Sequence, residues 1–151
     1  DFLNVYGKLW SVFMEDGEPH LFVVAVVVSN GSDNSPYVNK ICLTGAIRSV
    51  PTCRKTYVQN RTIASTLLTV IYSYEGVSGT LNVPLVFWGK AAEEIERYKP
   101  REVISVVGRM QSRMRSETDE EGNPYTRIVH EVSVSTLIPI ERNLVTNNGI
   151  F

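Results

Sequence analysis

Apolar residues alternate with polar ones through most of this chain. Leu68, Val70, Tyr72 and Tyr74 form one such series, and Leu81, Val83, Leu85 and Phe87 form another. A period of two places each series on one face of a strand, whereas a helix needs apolar residues three and four apart. The pattern predicts strands near 38–48, 62–74, 80–88, 103–114 and 125–138. One stretch keeps helical spacing instead. Ala91, Ala92, Ile95 and Tyr98 share a stripe with Glu93, Glu94 and Arg97 outside it, which predicts a helix over 90–98. Pro84 falls inside a strand, where a missing N–H is tolerated at an edge or a bulge. The expected domain is all-β, a five-stranded barrel with one short helix between its third and fourth strands.

The first thirty residues echo the end of that domain. Val5-Tyr-Gly-Lys-Leu-Trp-Ser11 parallels Val106-Val-Gly-Arg-Met-Gln-Ser112, and Asp16-Gly-Glu-Pro-His20 parallels Glu121-Gly-Asn-Pro-Tyr125. Each pair predicts a hairpin turning at an acidic-Gly-x-Pro loop, the second with the longer loop, through 116–121. Residues 1–30 therefore read as an N-terminal β-hairpin, either the last two strands of a preceding copy of the fold or an extension. The run 21–28 reads as a buried strand and is too short and β-branched for a membrane span of roughly 20 residues. An isolated hairpin is marginal in water, so this one is expected to add to the barrel or to another chain. Residues 31–37 form a linker, 38–142 the main domain and 143–151 a tail.

A chain of 151 residues, 43% of them hydrophobic, can bury a real core. It opens on Asp1 rather than Met, which suggests a fragment or processed form, and no secretory signal is visible. Cys42 and Cys53 suit neither a metal quartet nor a disulfide framework; both are expected as small buried or half-buried thiols in a reducing compartment. The formal net charge of −1 conceals a polarity. Residues 40–115 hold 12 Lys and Arg against 5 Asp and Glu, while 1–39 and 116–151 are each acidic by four. A single-sign field in the middle of the chain is what an anion-binding face needs.

The candidate residues for such a face are cationic and aromatic. Arg109, Arg113 and Arg115 alternate along one side of the fourth strand, a ridge that is unfavourable unless solvated or paired with anions. Arg54, Lys55 and Arg61 populate the loop between strands one and two, with Tyr57 beside them, and Lys90 follows a Trp-Gly turn. Cations neutralise phosphates and flat rings hold splayed bases, so the mixture fits an unpaired nucleic-acid strand.

Several ordered motifs carry a family resemblance. Asn39-Lys-Ile-Cys-Leu-Thr-Gly45, Thr66-Leu-Leu-Thr-Val70, Trp88-Gly-Lys-Ala-Ala-Glu93, Gly108-Arg-Met-Gln-Ser-Arg113 and Glu131-Val-Ser-Val-Ser135 occur in the order of the bacterial single-stranded DNA-binding protein family, over roughly two thirds of the chain. The resemblance implies an oligonucleotide/oligosaccharide-binding (OB) barrel, homo-oligomers (dimer or tetramer), a partner in single-stranded DNA and a cytoplasmic, nucleoid-associated setting. It places Trp88 and Tyr74 at positions where an aromatic stacks on a base; the plain alternative for Trp88 is a partly buried barrel tryptophan. Two further positions that commonly carry tryptophan align with Asn82 and Arg115. Arginine can stack its guanidinium, but asparagine cannot, so weaker or differently shaped binding is expected. Some members carry two such units in one chain. The family's acidic tail ending in Pro-Phe, which recruits partner proteins, is not visible in Asn147-Asn-Gly-Ile-Phe151.

Catalysis is the competing class and finds little support. His20 and His130 have no Cys, Asp or Glu at metal-ligand spacing, and Glu131 alternates to the other face from His130. No nucleophile elbow or phosphate loop is present. No catalytic residue, cofactor, metal or membrane partner is therefore assigned. The expected function is sequence-independent binding and protection of single-stranded DNA in replication, recombination or repair. The alternative is an OB-fold protein-interaction module with weak or no nucleic-acid binding.

Overall fold

Long β-branched and aromatic segments give strands, and the computed structural model arranges them as two separate sheets. It describes residues 2–13, 15, 19–32, 34 and 37–140, with the side chains of residues 13, 19 and 74 outside that description. Strands β1 (Leu3–Phe13) and β2 (Pro19–Asn30) form a hairpin of their own. The remainder comprises β3 (Ile41–Ile47), β4 (Thr52–Lys55), β5 (Thr62–Tyr74), β6 (Val77–Trp88), α1 (Lys90–Ile95), β7 (Val103–Thr118) and β8 (Pro124–Pro139). The six strands run β3-β7-β8-β6-β5-β4, and β3 bends from β7 onto β5 through Ala46 and Ile47, which closes the sheet. The first barrel strand is thus β3, continued past an interruption by β4. Counted that way the barrel has five strands in the order 1-2-3-5-4, with α1 between the third and fourth, which is the OB fold.

The core lies where the alternation placed it. Leu68, Val83, Leu85, Phe87, Ile104, Val106 and Val132 are fully buried inside the barrel, and α1 adds Ala92 and Ile95. Each such side chain contributes about 1.5–3 kcal/mol by leaving water. Pro84 sits mid-strand opposite Leu67, yet β6 meets β8 only at Leu85 and Val86. On its β8 side Pro84 is therefore at an edge, as its missing N–H requires.

Several boundaries differ from expectation for identifiable reasons. The first strand starts at Ile41 rather than 38 because a side chain replaces the ladder at Asn39: its Nδ2 donates to the Met110 carbonyl at 2.8 Å and its Oδ1 accepts from the Met110 N–H at 2.9 Å. Arg54 and Lys55 lie on β4, not in a loop, since residues 52–55 pair in register with 62–65. The helix ends at Ile95; the next turn closes with three-residue steps, Arg97 N–H to the Glu94 carbonyl and Tyr98 N–H to Ile95, shortly before Pro100. Strands β7 and β8 are longer than expected and leave a tight turn over 119–123. There Asp119 Oδ1 accepts the N–H groups of Glu121 (3.0 Å) and Asn123 (2.7 Å), and these bonds, led by that from Asn123, hold its carboxyl below its ordinary value. Cys42 is exposed, and only Cys53 is half-buried.

The hairpin brings the largest correction. Leu9 and Leu21 pack against the core and Trp10 meets Tyr72 with ring centroids 4.2 Å apart, but β2 is not a buried strand. Val23, Val24, Val26, Val27 and Val28 are all exposed, Val26 by 62%. The echo in sequence nevertheless has a counterpart in space. The ladder of β1 and β2 is irregular between Tyr6 and Gly7, and that of β7 and β8 between Val107 and Gly108. In both places a Cβ on the glycine would collide with a backbone carbonyl of the partner strand, Val24 for Gly7 and Ser133 for Gly108. A bulge with that close approach accepts only glycine without a shift of the strands. The first hairpin's turn, at residues 16–18, and the tail lie outside the described residues.

Gly108→Ala forces β7 away from β8 at the point where the barrel is tightest. It should destabilise the protein by about 1–3 kcal/mol, read as a lower midpoint in denaturant unfolding with little change in slope. An unchanged midpoint would contradict the close approach.

Candidate nucleic-acid interface

Directly opposed residues on antiparallel strands share a face, so the register alone assembles a surface. Arg54 opposes Ile63, and Ile63 opposes Trp88. The three form a row across β4, β5 and β6. Trp88 is 38% exposed, and the Arg61 guanidinium lies over its ring, 5.8 Å from the centroid. That cation–π contact sets a positive charge over one face of a part-exposed ring. Along the same face follow Ser65 with Val86, Leu67 with Pro84, and Thr69 with Asn82.

Roughly 13 Å along the strands from Trp88, this face deepens into a cleft. Strands β6 and β8 pair in parallel at only two positions, Leu85 with Val132 and Val86 with Ser133. On the N-terminal side of those pairs they part, and β8 leaves the barrel with β7 as a two-stranded arm. The opening is a cavity of about 320 Å³. Ser65, Leu67 and Pro84 lie in its floor, Arg113, Arg115 and Arg127 line the arm side, and His130 and the hairpin's His20 complete it. Ser49 is fixed in the wall: the Thr66 hydroxyl donates to its carbonyl at 2.6 Å, and the Leu67 N–H donates to its hydroxyl at 3.2 Å.

The arginines of the arm are held by acids of the arm. Arg113 Nε donates to Glu131 at 2.9 Å, Arg115 Nε to Glu117 at 3.0 Å, and Arg127 to the same Glu117 oxygen at 2.7 Å. Glu131 is only 5% exposed and also accepts from Gln111 at 2.9 Å. Tyr125 donates its hydroxyl to Glu117 at 2.8 Å. The bonds from Arg127 and Tyr125 hold the Glu117 carboxyl below its ordinary value. The arm is thereby stiffened, and the charge of the ridge is partly neutralised from within.

The expected residues are thus divided. Trp88, Arg54 and Arg61 gather at one end of the face, with Arg113 and Arg115 at the cleft further along. Lys90 is exposed at the first turn of α1, beside Trp88 in sequence. Lys55 alternates to the other side of β4 from Arg54, and both border a depression with Glu93 and Glu96. Tyr57 is fully exposed on the turn after β4. The side chain of Tyr74 is outside the described residues. Arg109 does not continue the ridge. It pairs with Ser133, where β8 still lies on the barrel, and borders a different depression with Asn39 and Lys40. Arg113 and Arg115 pair with residues of the departing arm, so one alternating series is parted by the arm's divergence. Asn82 is 6% exposed and accepts the Thr69 hydroxyl at 3.0 Å, so a base cannot reach it. Ser49, His20, His130 and Arg127 were not legible as site residues, because nothing local in the sequence brings β2, β5, β6 and β8 to one opening.

No family model matches the sequence, and no curated protein matches it. Solved structures share the fold. The wild-type single-stranded DNA-binding protein from Thermus aquaticus is 19% identical with a TM-score of 0.72, over 93% of this chain and 59% of that chain. A deletion mutant of it is 22% identical with a TM-score of 0.71, over 92% and 60%. The protein PriB from Ralstonia solanacearum is 17% identical with a TM-score of 0.52, over 69% of this chain and 100% of that one. The chain spans about three fifths of the length of the Thermus structures. A coverage of 93% extends well into the N-terminal hairpin, whereas 69% is the extent of a barrel alone. Among the described residues no group of His, Cys, Asp and Glu could hold a metal ion, and no helix is long and apolar enough to cross a membrane.

Because Glu117 has a depressed pKa, its stabilisation of the arm is fully present above its unfolded value near 4.5 and is lost as pH falls through the lower folded value. Amide exchange in the arm should accelerate over that acid window in the wild type, after correction for intrinsic rates. Glu117→Gln should reduce the pH step to the part contributed by Asp119, whose carboxyl is also held below its ordinary value in the arm's turn, and leave the arm less protected at neutral pH. A step of unchanged size in the variant would assign it to groups other than Glu117.

Proposed function

We propose that this protein binds single-stranded DNA without sequence preference, by stacking bases on Trp88 and seating phosphates along the face that leads to the arginine-lined cleft. The observation that carries this reading is the part-exposed tryptophan with Arg61 over its ring. A half-exposed indole is otherwise an unfavourable surface group, and a base offers it a second π-face worth about 1–3 kcal/mol per contact. The cleft, roughly 13 Å further along the same face, is sized for part of a nucleotide and lined by Leu67, Pro84, Ser65 and three arginines, with Glu131 among them. A duplex offers no free base faces, so the unpaired strand is preferred. This preference suits protection of exposed DNA in replication, recombination or repair, in the cytoplasm, with no catalytic step.

The N-terminal hairpin fits the end of a preceding barrel. Its bulge repeats that of β7 and β8, and the likeness to the Thermus protein reaches into it. Its exposed valines need cover, from such a unit or from another copy in a dimer or tetramer. A protein-interaction barrel is the second reading. It is favoured by Asn82, which is buried where an aromatic is usual in the resembling family, and by arginines already paired with glutamates.

Trp88 emission should be quenched by a dT oligomer, while Trp10, packed on Tyr72, supplies a constant background. Trp88→Ala should remove the quenching and weaken binding by about 1–3 kcal/mol. Log affinity should fall with log salt by about 0.7 per phosphate neutralised. No quenching and no binding at low salt would leave the protein-interaction reading in its place.

A further inference from the structure

We propose that the cleft is a proton-linked site: His20 and His130 take up protons when a phosphate enters it, so the protein holds its ligand more tightly as pH falls from 8 to 6. The inference rests on the reading above, because a phosphate of the bound strand is the anion, and it concerns what regulates that binding. Nothing in the sequence pairs the two histidines. His20 lies at the start of β2, in the N-terminal hairpin, and His130 lies far along the chain on β8. Both nevertheless line the one cavity of about 320 Å³ between hairpin, arm and sheet. Each is half-buried, where a charge is screened by salt less than on an open surface.

The groups that face the histidines decide the direction of the effect. Strand β7 brings Arg113 and Arg115 to the cavity, and β8 brings Arg127 and Glu131 beside His130; the lining parts of β5 and β6 carry no ionisable side chain. Arginine keeps its charge throughout the ordinary pH range. Glu131 is engaged by Arg113 and Gln111, and Glu117 reaches Arg115 and Arg127 at 3.0 and 2.7 Å. Imidazole is the side chain that ordinarily changes charge between pH 5 and 8. In the empty cleft three arginines face two carboxylates, so a further positive charge is repelled. A phosphate reverses that balance and favours the protonated rings. The bound state then holds more protons than the free state, and by linkage its affinity must rise as pH falls. Because one ring belongs to the hairpin and the other to the arm, the same anion also ties those two elements together.

The test measures the affinity for a dT oligomer of about eight bases, enough for one site on a barrel, by anisotropy at pH 8 and pH 6 in the same low salt. One added positive charge about 6 Å from a phosphate in water strengthens binding about threefold. Two histidines should therefore tighten binding about tenfold between the two pH values. His20→Gln and His130→Gln should each cut that ratio to about threefold, and the double variant should remove it. Trp88→Ala should weaken binding at both pH values and keep the ratio, since stacking carries no proton. Calorimetry of the wild type near pH 7, in two buffers of different ionisation enthalpy, reads the protons without relying on a variant and should show uptake on binding. Equal wild-type affinity at both pH values with no proton uptake overturns the proposal, as does a ratio that survives in the double variant. Absence of binding at either pH instead overturns the reading built on Trp88, and this one with it.

Discussion

Two pairs of residues close this barrel on one side. Leu85 meets Val132 and Val86 meets Ser133, and no further pairing joins β6 to β8. A parallel contact so short leaves both strands free on either side of it. Toward the core Leu85 and Val132 are fully buried, so the contact is anchored by apolar packing as much as by its hydrogen bonds. Beyond it β8 departs with β7, and the space between arm and sheet becomes the cleft. A longer ladder would have sealed that space. The cavity therefore follows from where pairing stops, and Pro84 sits at that stop because it has no N–H to offer to a continued ladder.

The arm's electrostatics follow from its geometry. Two long strands carried away from the barrel have few apolar neighbours, and Met114 and Ile128 stay exposed. Cross-strand pairs do the stiffening instead. Glu117 gathers Arg115, Arg127 and Tyr125, and Glu131 gathers Arg113 and Gln111. These arginines are oriented by their partners and surrender part of their charge to them. Any anionic ligand would have to compete with a carboxylate there.

The N-terminal hairpin and the β7–β8 hairpin are built on the same constraint. Each has an irregular ladder beside a glycine whose Cβ would strike a carbonyl across the strands. In the barrel that close approach tightens the wall around Val106 and Val132. In the hairpin it tightens a sheet whose valines face solvent. A device suited to a barrel, found on a strand pair without one, is the physical content of the sequence echo.

Alternation, turn residues and glycine placement were enough to read an all-β barrel, the hairpin and most of the core, because a strand's inward face depends only on its neighbours two residues away. Leu81, Val83, Leu85 and Phe87 show this plainly, all four being buried. The charge polarity of the middle segment was equally legible, since it is a count. What the sequence left open was which side chains meet. The arginines at 109, 113 and 115 look equivalent by spacing, yet the barrel keeps the first and the arm removes the other two. Glu131 was read only as alternating away from His130, and it is the buried partner of Arg113. The valines of β2 looked like core and remain on the surface. In each case the deciding contact joins residues far apart in the chain, and only the register between strands and the point at which their pairing ends could settle it.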